Sequence, residues 1–242
     1  AAVILEPTGG HWGQFPLPNP GFLVDLRDIT SRHGVVMIMD EVITGFRMSR
    51  GGAQERFGIS PDLTCMAKVV AGGMPGGALA GSEEIMDMFS RDHVNMMAHP
   101  GTWNANPASA AAGVAALDLI AGEPINERAD AMASRLKQGL VEGLTKMEVT
   151  GHVHGIASIV HIALGAACDC SGDICTLPHS ELAEATSAPR ADAMKLAMLN
   201  EGVDIMGGIG FIVSSAHQEQ EIDGTVEAFE RALTAVRDEG VI

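Results

Sequence analysis

The sequence predicts an α/β protein, a parallel sheet with flanking helices followed by a smaller α+β unit. Three observations predict it. Strand, loop, helix and strand patterns follow one another within the first 40 residues, which is a βαβ signature and implies a right-handed crossover between parallel strands. Apolar residues make up 46% of the 242, enough for a substantial core and too many for a disordered chain. After about residue 148 the texture changes to shorter strands and helices, as in a second, smaller domain.

The elements follow in order. "AAVILEP" reads as a short buried strand ended by Pro7, and "TGGHWGQFPLPNPG" is a Gly- and Pro-rich loop. "FLVDLRDITSRHG" has helical spacing, with Phe22, Leu23, Leu26 and Ile29 on one face and Gly34 as its stop. "VVMIMD" is a second buried strand, "LTCMA" a third and "GALAG" a fourth. "SEEIMDMF" starts a helix with Ser82 as N-cap and two acids at the positive end of the helix dipole. "NPASAAAGVAALDLIAG" is a small-residue helix able to pack closely, and "EPINERADAMASRLKQGLVEGLTKM" is long and amphipathic. Beyond them, "GIASIVHIALG" reads as a strand and "SELAEATSAPRADAMKLAMLNEG" as helical with a break at Pro189. "VDIM" and "FIVSSA" read as short strands, and "EQEIDGTVEAFERALTAVRDEG" as a closing helix.

A net charge of −16 argues against nucleic acid and anionic membrane surfaces, which attract basic faces. No run reaches the roughly 18 apolar residues that span a bilayer, and no signal-peptide pattern is present. Four cysteines, one of them isolated, do not read as a disulfide scaffold; a reducing cytoplasm is the default. The chain opens without Met on a core-like strand, so it reads as the C-terminal part of a longer protein.

Lysine placement is the most informative feature. Of the four lysines, Lys137, Lys146 and Lys195 lie on helices among charged neighbours and read as solvated. Lys68 alone sits between an apolar strand and a glycine-rich turn, in "LTCMAKVVAGGMPGG". An amine in apolar surroundings has a depressed pKa and can act as nucleophile or base, the setting of a Schiff-base lysine. A strand-end lysine snorkelling to solvent fits the local context equally well. Asp40 closes the preceding apolar strand, and open parallel sheets bind ligands at their strand ends. Two adjacent strand ends would offer a carboxylate and an amine to one crevice, the pair that pyridoxal phosphate needs; an ordinary Asp–Lys ion pair has the same spacing.

"MDEVITGFR", "PDLTCMAKVVAGGMPGGALAG" and "HPGTWNANPASAAAG" resemble the signature of class III pyridoxal-phosphate aminotransferases, of fold type I. "GGAQERFGISPDL", "AMLNEGV" and "SSAHQEQEIDGTVEAFERAL" are most similar to members like glutamate-1-semialdehyde 2,1-aminomutase. The resemblance covers nearly the whole chain, and the 28-residue step from Asp40 to Lys68 fits it. It implies that residues 1–123 are the C-terminal part of the cofactor-binding large domain, with a mixed, mostly parallel sheet, and 124–242 the small α+β domain.

Within that resemblance, Asp40 would pair with the pyridine nitrogen and Val42 would pack on one face of the ring. Lys68 would form the internal aldimine and then move a proton between the substrate carbon and the cofactor's C4′. Thr102 would donate to the cofactor phosphate, across a homodimer interface. Glu41 would sit in a structural salt bridge, and Asn104 and Asn106 would hold their loop. His11 stands in "EPTGGH" where the family often has "EPVxGN", so it would take an Asn's place near the phenolic oxygen. Ala71, Gly76, Leu79 and Trp103 also depart from the aminomutase pattern, which bears on the substrate more than on the cofactor. The roughly 200 residues that the family carries on the N-terminal side, with the phosphate-binding turn and the stacking aromatic, have no counterpart here.

The expected function is therefore amino-group transfer on a small amino or keto substrate, within one molecule or between two. The rival is a truncated or non-catalytic chain that keeps the fold. Cys168, Cys170, Cys175 and His179 in "CDCSGDICTLPH" lack the separated C-x2-C pairs of common zinc sites, so they read as a reduced loop and no metal is assigned. His152, His154 and His161 read as ordinary packing or surface positions around an apolar strand.

Overall fold

The computed structural model describes residues 1–8, 21–170 and 173–242. They fall into two compact units, one built from the first eight residues with 21–124 and the other from 125–242.

The first unit is organised on a mixed, mostly parallel sheet. Strands β1 (Ala2–Leu5), β2 (Val36–Asp40) and β3 (Leu63–Ala67) run parallel in that order, and β4 (Gly77–Gly81) adds antiparallel to β3. Helix α1 (Phe22–Arg32) lies between β1 and β2 in the chain, completing the βαβ pattern read from the sequence. Met37 and Met39 of β2 are fully buried, as a central strand requires. Helix α1 buries Leu23 and Thr30, while Phe22 and Ile29, expected on its packed face, are exposed. Asp62, just before β3, accepts from Met37 N (2.7 Å) and from Arg27 (3.0 Å), tying α1 and β2 to the next strand.

Helix α2 (Gly52–Phe57) is not apparent in the sequence, being six residues long with glycine at its start. Its N-terminus is held by Glu41, which is 1% exposed. The Glu41 carboxylate accepts from Ala53 N (2.6 Å), Gln54 N (3.1 Å), the Gln54 side chain (3.1 Å) and Thr44 Oγ1 (3.0 Å). The expected salt bridge is thus replaced: among the described residues Glu41 has no cationic partner, because helix N–H groups already supply the positive end. Gly52, at φ +73°, leaves the room; a Cβ there would stand 2.3 Å from Glu41 Oε2.

After β3 the chain turns into a short 3-10 helix, Lys68–Ala71, which packs on α4 (Pro107–Gly122). The small residues of α4 make that approach possible: a Cβ on Gly113 would meet Val70 O at 2.5 Å, and one on Gly72 would meet Ala112 O at 2.5 Å. Ser82 precedes a short helix α3 (Glu83–Met86) but makes no side-chain cap.

In the second unit, β5 (Gly151–His154), β6 (Ile159–Leu164) and β7 (Gly210–Ile212) form an antiparallel sheet. Helices α5 (Ile125–Lys146), α7 (Ala188–Asn200) and α8 (Glu219–Asp238) pack with it around Leu136, Leu140, Met194, Met198, Phe229 and Leu233. Helix α6 (His179–Ala185) ends before α7, so the expected break falls at Thr186 and Ser187, with Pro189 in the first turn of α7. Strand β5 is a correction to the sequence reading, and "VDIM" contributes only an isolated bridge from Met206 to Gly210.

Candidate active site

Parallel strands end on the same side of their sheet, and this places the candidate residues. In the register of β2 with β3, Asp40 stands beside Cys65, and Lys68 follows three residues later. Asp40 closes β2 half-buried, its Oδ1 accepting from Val42 N at 3.0 Å, so the carboxylate is pinned back along the turn that carries Val42. Burial first, and then the negative charge of Asp40, push the Cys65 thiol above its ordinary pKa.

Lys68 takes a left-handed backbone, φ +53°, uncommon for a residue with a Cβ. Its carbonyl accepts from Gly73 N (3.0 Å), and Ser109 Oγ binds Pro75 O (2.6 Å), which fastens the glycine-rich turn to the start of α4. The side chain is exposed rather than in apolar surroundings. The other three lysines each hold a carboxylate: Lys137 with Asp173, Lys146 with Glu230, and Lys195 with Asp204. Lys68 has no ion-pair or hydrogen-bond partner for its amine among the described residues, and Asp40 has no cation; the two do not form an ion pair with each other.

Thr102 and Trp103 lie on an exposed turn just before α4, with Trp103 76% exposed. Asn104 Nδ2 donates to His99 O (2.9 Å), and Asn106 caps α4 by accepting from Ala108 N (3.0 Å) and Ser109 N (3.2 Å). A cleft of about 510 Å3 opens between this turn and the glycine-rich turn, lined among others by Val70, Gly76, Trp103 and Asn106. The structure therefore brings Asp40, Val42 and Lys68 to one sheet edge, with Thr102 on a neighbouring loop of the same unit. His11 lies outside the described residues.

The family model described as aminotransferase class-III matches residues 1–233. The chain belongs to the class III aminotransferase family. Glutamate-1-semialdehyde 2,1-aminomutase 2 of Brevibacillus brevis is 38% identical to this class III chain over 235 residues, 96% of the chain and 52% of the relative. An omega-transaminase from Sphaerobacter thermophilus superposes with a TM-score of 0.83 at 31% identity, covering 98% of this chain and 52% of that one. The PLP internal aldimine form of the Sphingopyxis sp. MTA144 FumI protein gives 0.80 at 25%, over 99% and 53%. This class III aminotransferase chain thus has the fold of the pyridoxal-phosphate transaminases, and it spans about half the length of the curated relatives it matches.

Proposed function

We propose that this chain forms part of a pyridoxal-phosphate enzyme that moves an amino group, either between carbons of one substrate, as an aminomutase does, or from an amino donor to a keto acid. The observation that carries the reading is the placement of Asp40 and Lys68 at the ends of adjacent parallel strands, each without a charged partner among the described residues. The donor set fits the cofactor: one carboxylate suited to a protonated ring nitrogen and one amine suited to an aldehyde, with the Thr102 hydroxyl suited to the phosphate of a partner subunit's site. When bound, pyridoxal phosphate supplies the electron sink that makes a proton on the amine-bearing carbon removable.

The chain's own residues do the rest. Asp40, already oriented by Val42 N, holds a proton on the ring nitrogen by its charge. Val42 presents an aliphatic surface to one ring face. Lys68 would hold the cofactor through Nζ and would serve as the base that takes a proton from the substrate carbon and returns it. Its left-handed backbone, in a turn whose Val70 and Gly72 pack closely on α4, supports a positioned amine although the side chain is exposed. Thr102 donates to the phosphate, and its place on an exposed turn beside Trp103 supports a supply across a homodimer interface. His11 would donate near the phenolic oxygen. Substrates are small amino or keto compounds, and the net charge of −16 supports neither nucleic acid nor anionic membranes as partners. Four cysteines without a disulfide support a reducing, cytoplasmic setting.

The test is reductive trapping. The chain, and the longest reading frame that contains it, are incubated with pyridoxal phosphate, reduced with borohydride and mapped by peptide mass. The label is expected on Lys68 and on no other lysine, and it disappears in Lys68→Ala. Labelling that survives in Lys68→Ala, or that falls on Lys137, Lys146 or Lys195, rules the assignment out.

A further inference from the structure

The cysteine loop of the second unit is where the structure adds something that spacing concealed. Strand β5 was not expected, and it carries His152 and His154 on one face, since residues two apart in a strand point the same way. Cross-strand pairing sets His161 of β6 opposite His154. The three imidazoles form a row, His152 to His154 at 5.1 Å between centroids and His154 to His161 at 5.6 Å. All three are buried, at 7%, 0% and 1% exposure.

The loop after β6 folds over the His152 end of that row. Cys175 is 3% exposed, and its Sγ lies 3.2 Å from His152 Nε2. Two overlapping groups of soft donors result, His152 with His154 and Cys175, and His152 with Cys168 and Cys170; within each, the donor atoms lie no more than 4.8 Å apart. In a tetrahedral site with Zn–S near 2.3 Å and Zn–N near 2.0 Å, the nitrogen and sulfur stand about 3.6 Å apart. The His152–Cys175 separation of 3.2 Å is near that of two ligands around one ion, and the two donor groups share His152.

The tautomer of His152 also suits a ligand. Its Nδ1 lies 3.1 Å from Ala166 O. A carbonyl only accepts, so Nδ1 carries the proton and Nε2 is left with a lone pair aimed at the sulfurs. A ligating histidine is commonly held in this way, its other nitrogen donating to a backbone carbonyl. Cys168 Sγ similarly accepts from Cys170 N at 3.3 Å and lies 3.6 Å from Thr176 Oγ1, contacts that orient a sulfur and remain available to a metal-bound one.

We propose that His152 Nε2 and the sulfurs of Cys168, Cys170 and Cys175 form a four-ligand site for a thiophilic divalent cation, zinc, in the small unit. Three thiols and an imidazole without an oxygen donor suit zinc and repel magnesium or calcium. Binding replaces the thiol proton between Cys175 and His152, and the three thiol protons leave to solvent. His154 packs against His152 without ligating, and the exposed His179, nominated by spacing alone, takes no part. The site would staple an irregular loop to β5 and is separate from the amino-transfer chemistry. An ordinary reduced thiol packed beside Leu182 and Ala185 is the competing account of Cys175.

Cobalt titration of the whole chain, metal-free and reduced, decides between them. One equivalent should produce thiolate-to-cobalt charge transfer and the intense d–d bands of tetrahedral cobalt, and one equivalent of zinc should bleach both. In the zinc-loaded chain, peptide mapping should find Cys168, Cys170 and Cys175 protected from alkylation while Cys65 labels as it does without metal. Cys170→Ser, at a half-exposed position, should weaken zinc at least ~100-fold, more than losing an outer partner costs. His152→Gln should do the same, and His179→Ala should leave binding unchanged. A folded chain that shows no tetrahedral cobalt spectrum overturns the site. So does a spectrum that survives both Cys170→Ser and His152→Gln, or one that His179→Ala abolishes.

Discussion

At Glu41 a carboxylate loses its water but gains four donors, two of them backbone N–H groups at the start of α2. Glu41→Ala leaves those N–H groups buried and unmet, and is expected to cost about 2–4 kcal/mol, read by urea unfolding. Gly52→Ala should cost about 1–3 kcal/mol through the same contact, because the new Cβ must displace Oε2 and adopt a positive φ. If Gly52→Ala is neutral, the close packing at this corner is wrong. Asp40 can be tested through its neighbour: Asp40→Asn removes one of the two causes that raise the Cys65 thiol, so alkylation of Cys65 in cofactor-free chain should quicken a few-fold at pH 8. An unchanged rate would mean that the carboxylate does not face Cys65.

His161 gives a pH dependence at the same scale. Burial, and then the neighbouring His154, press its pKa down to about 3, against about 6.5 when unfolded. Between those values the unfolded chain binds more protons than the folded one. This contribution to stability is therefore whole above pH 6.5 and is lost as the pH falls. By pH 5 the loss reaches about 2 kcal/mol. His161→Leu should flatten the acid side of a stability-against-pH curve without removing it, since burial also lowers His152. An identical slope in the variant would contradict this.

Among elements, the unit that matters most is the 3-10 turn of Lys68 with α4. The two backbones meet where Gly72 faces Ala112 O and Gly113 faces Val70 O. The small residues of α4 thus set the direction from which Lys68 leaves β3. Gly113→Val should shift this turn, reduce cofactor labelling of Lys68 by more than tenfold, and leave the helix content measured by circular dichroism near normal. Full labelling in that variant would show that the clamp does not position the amine.

For the whole molecule, composition and exposed surface make one statement. Among the described residues, no single helix is long and apolar enough to cross a membrane. Trp103 is nonetheless 76% exposed beside Thr102, as suits a residue that another subunit covers. Light scattering of the longest reading frame that contains this chain should give a dimer mass, and Trp103→Arg should weaken the dimer at least about tenfold, the equivalent of 1.4 kcal/mol. A monomer in the unmutated protein would remove Thr102 from the proposed phosphate site.

The sequence by itself determined the βαβ order, the four strands of the first sheet, the small-residue helix and the neighbourhood of Asp40 and Lys68. Each of these is a local pattern: an apolar run bounded by glycine or proline, or a motif whose residues lie close in the chain. Only the tertiary structure decided three other things. Glu41 met the N–H groups of Ala53 and Gln54 instead of a cation, because a helix too short to show a period turned its start toward the carboxylate. "GHVH" became a buried strand although histidine reads as polar, because pairing with β6 set both rings inward. The cysteines gained His152 as a neighbour from 16 to 23 positions earlier, and no spacing rule along the chain could report a contact made by folding a loop over a sheet.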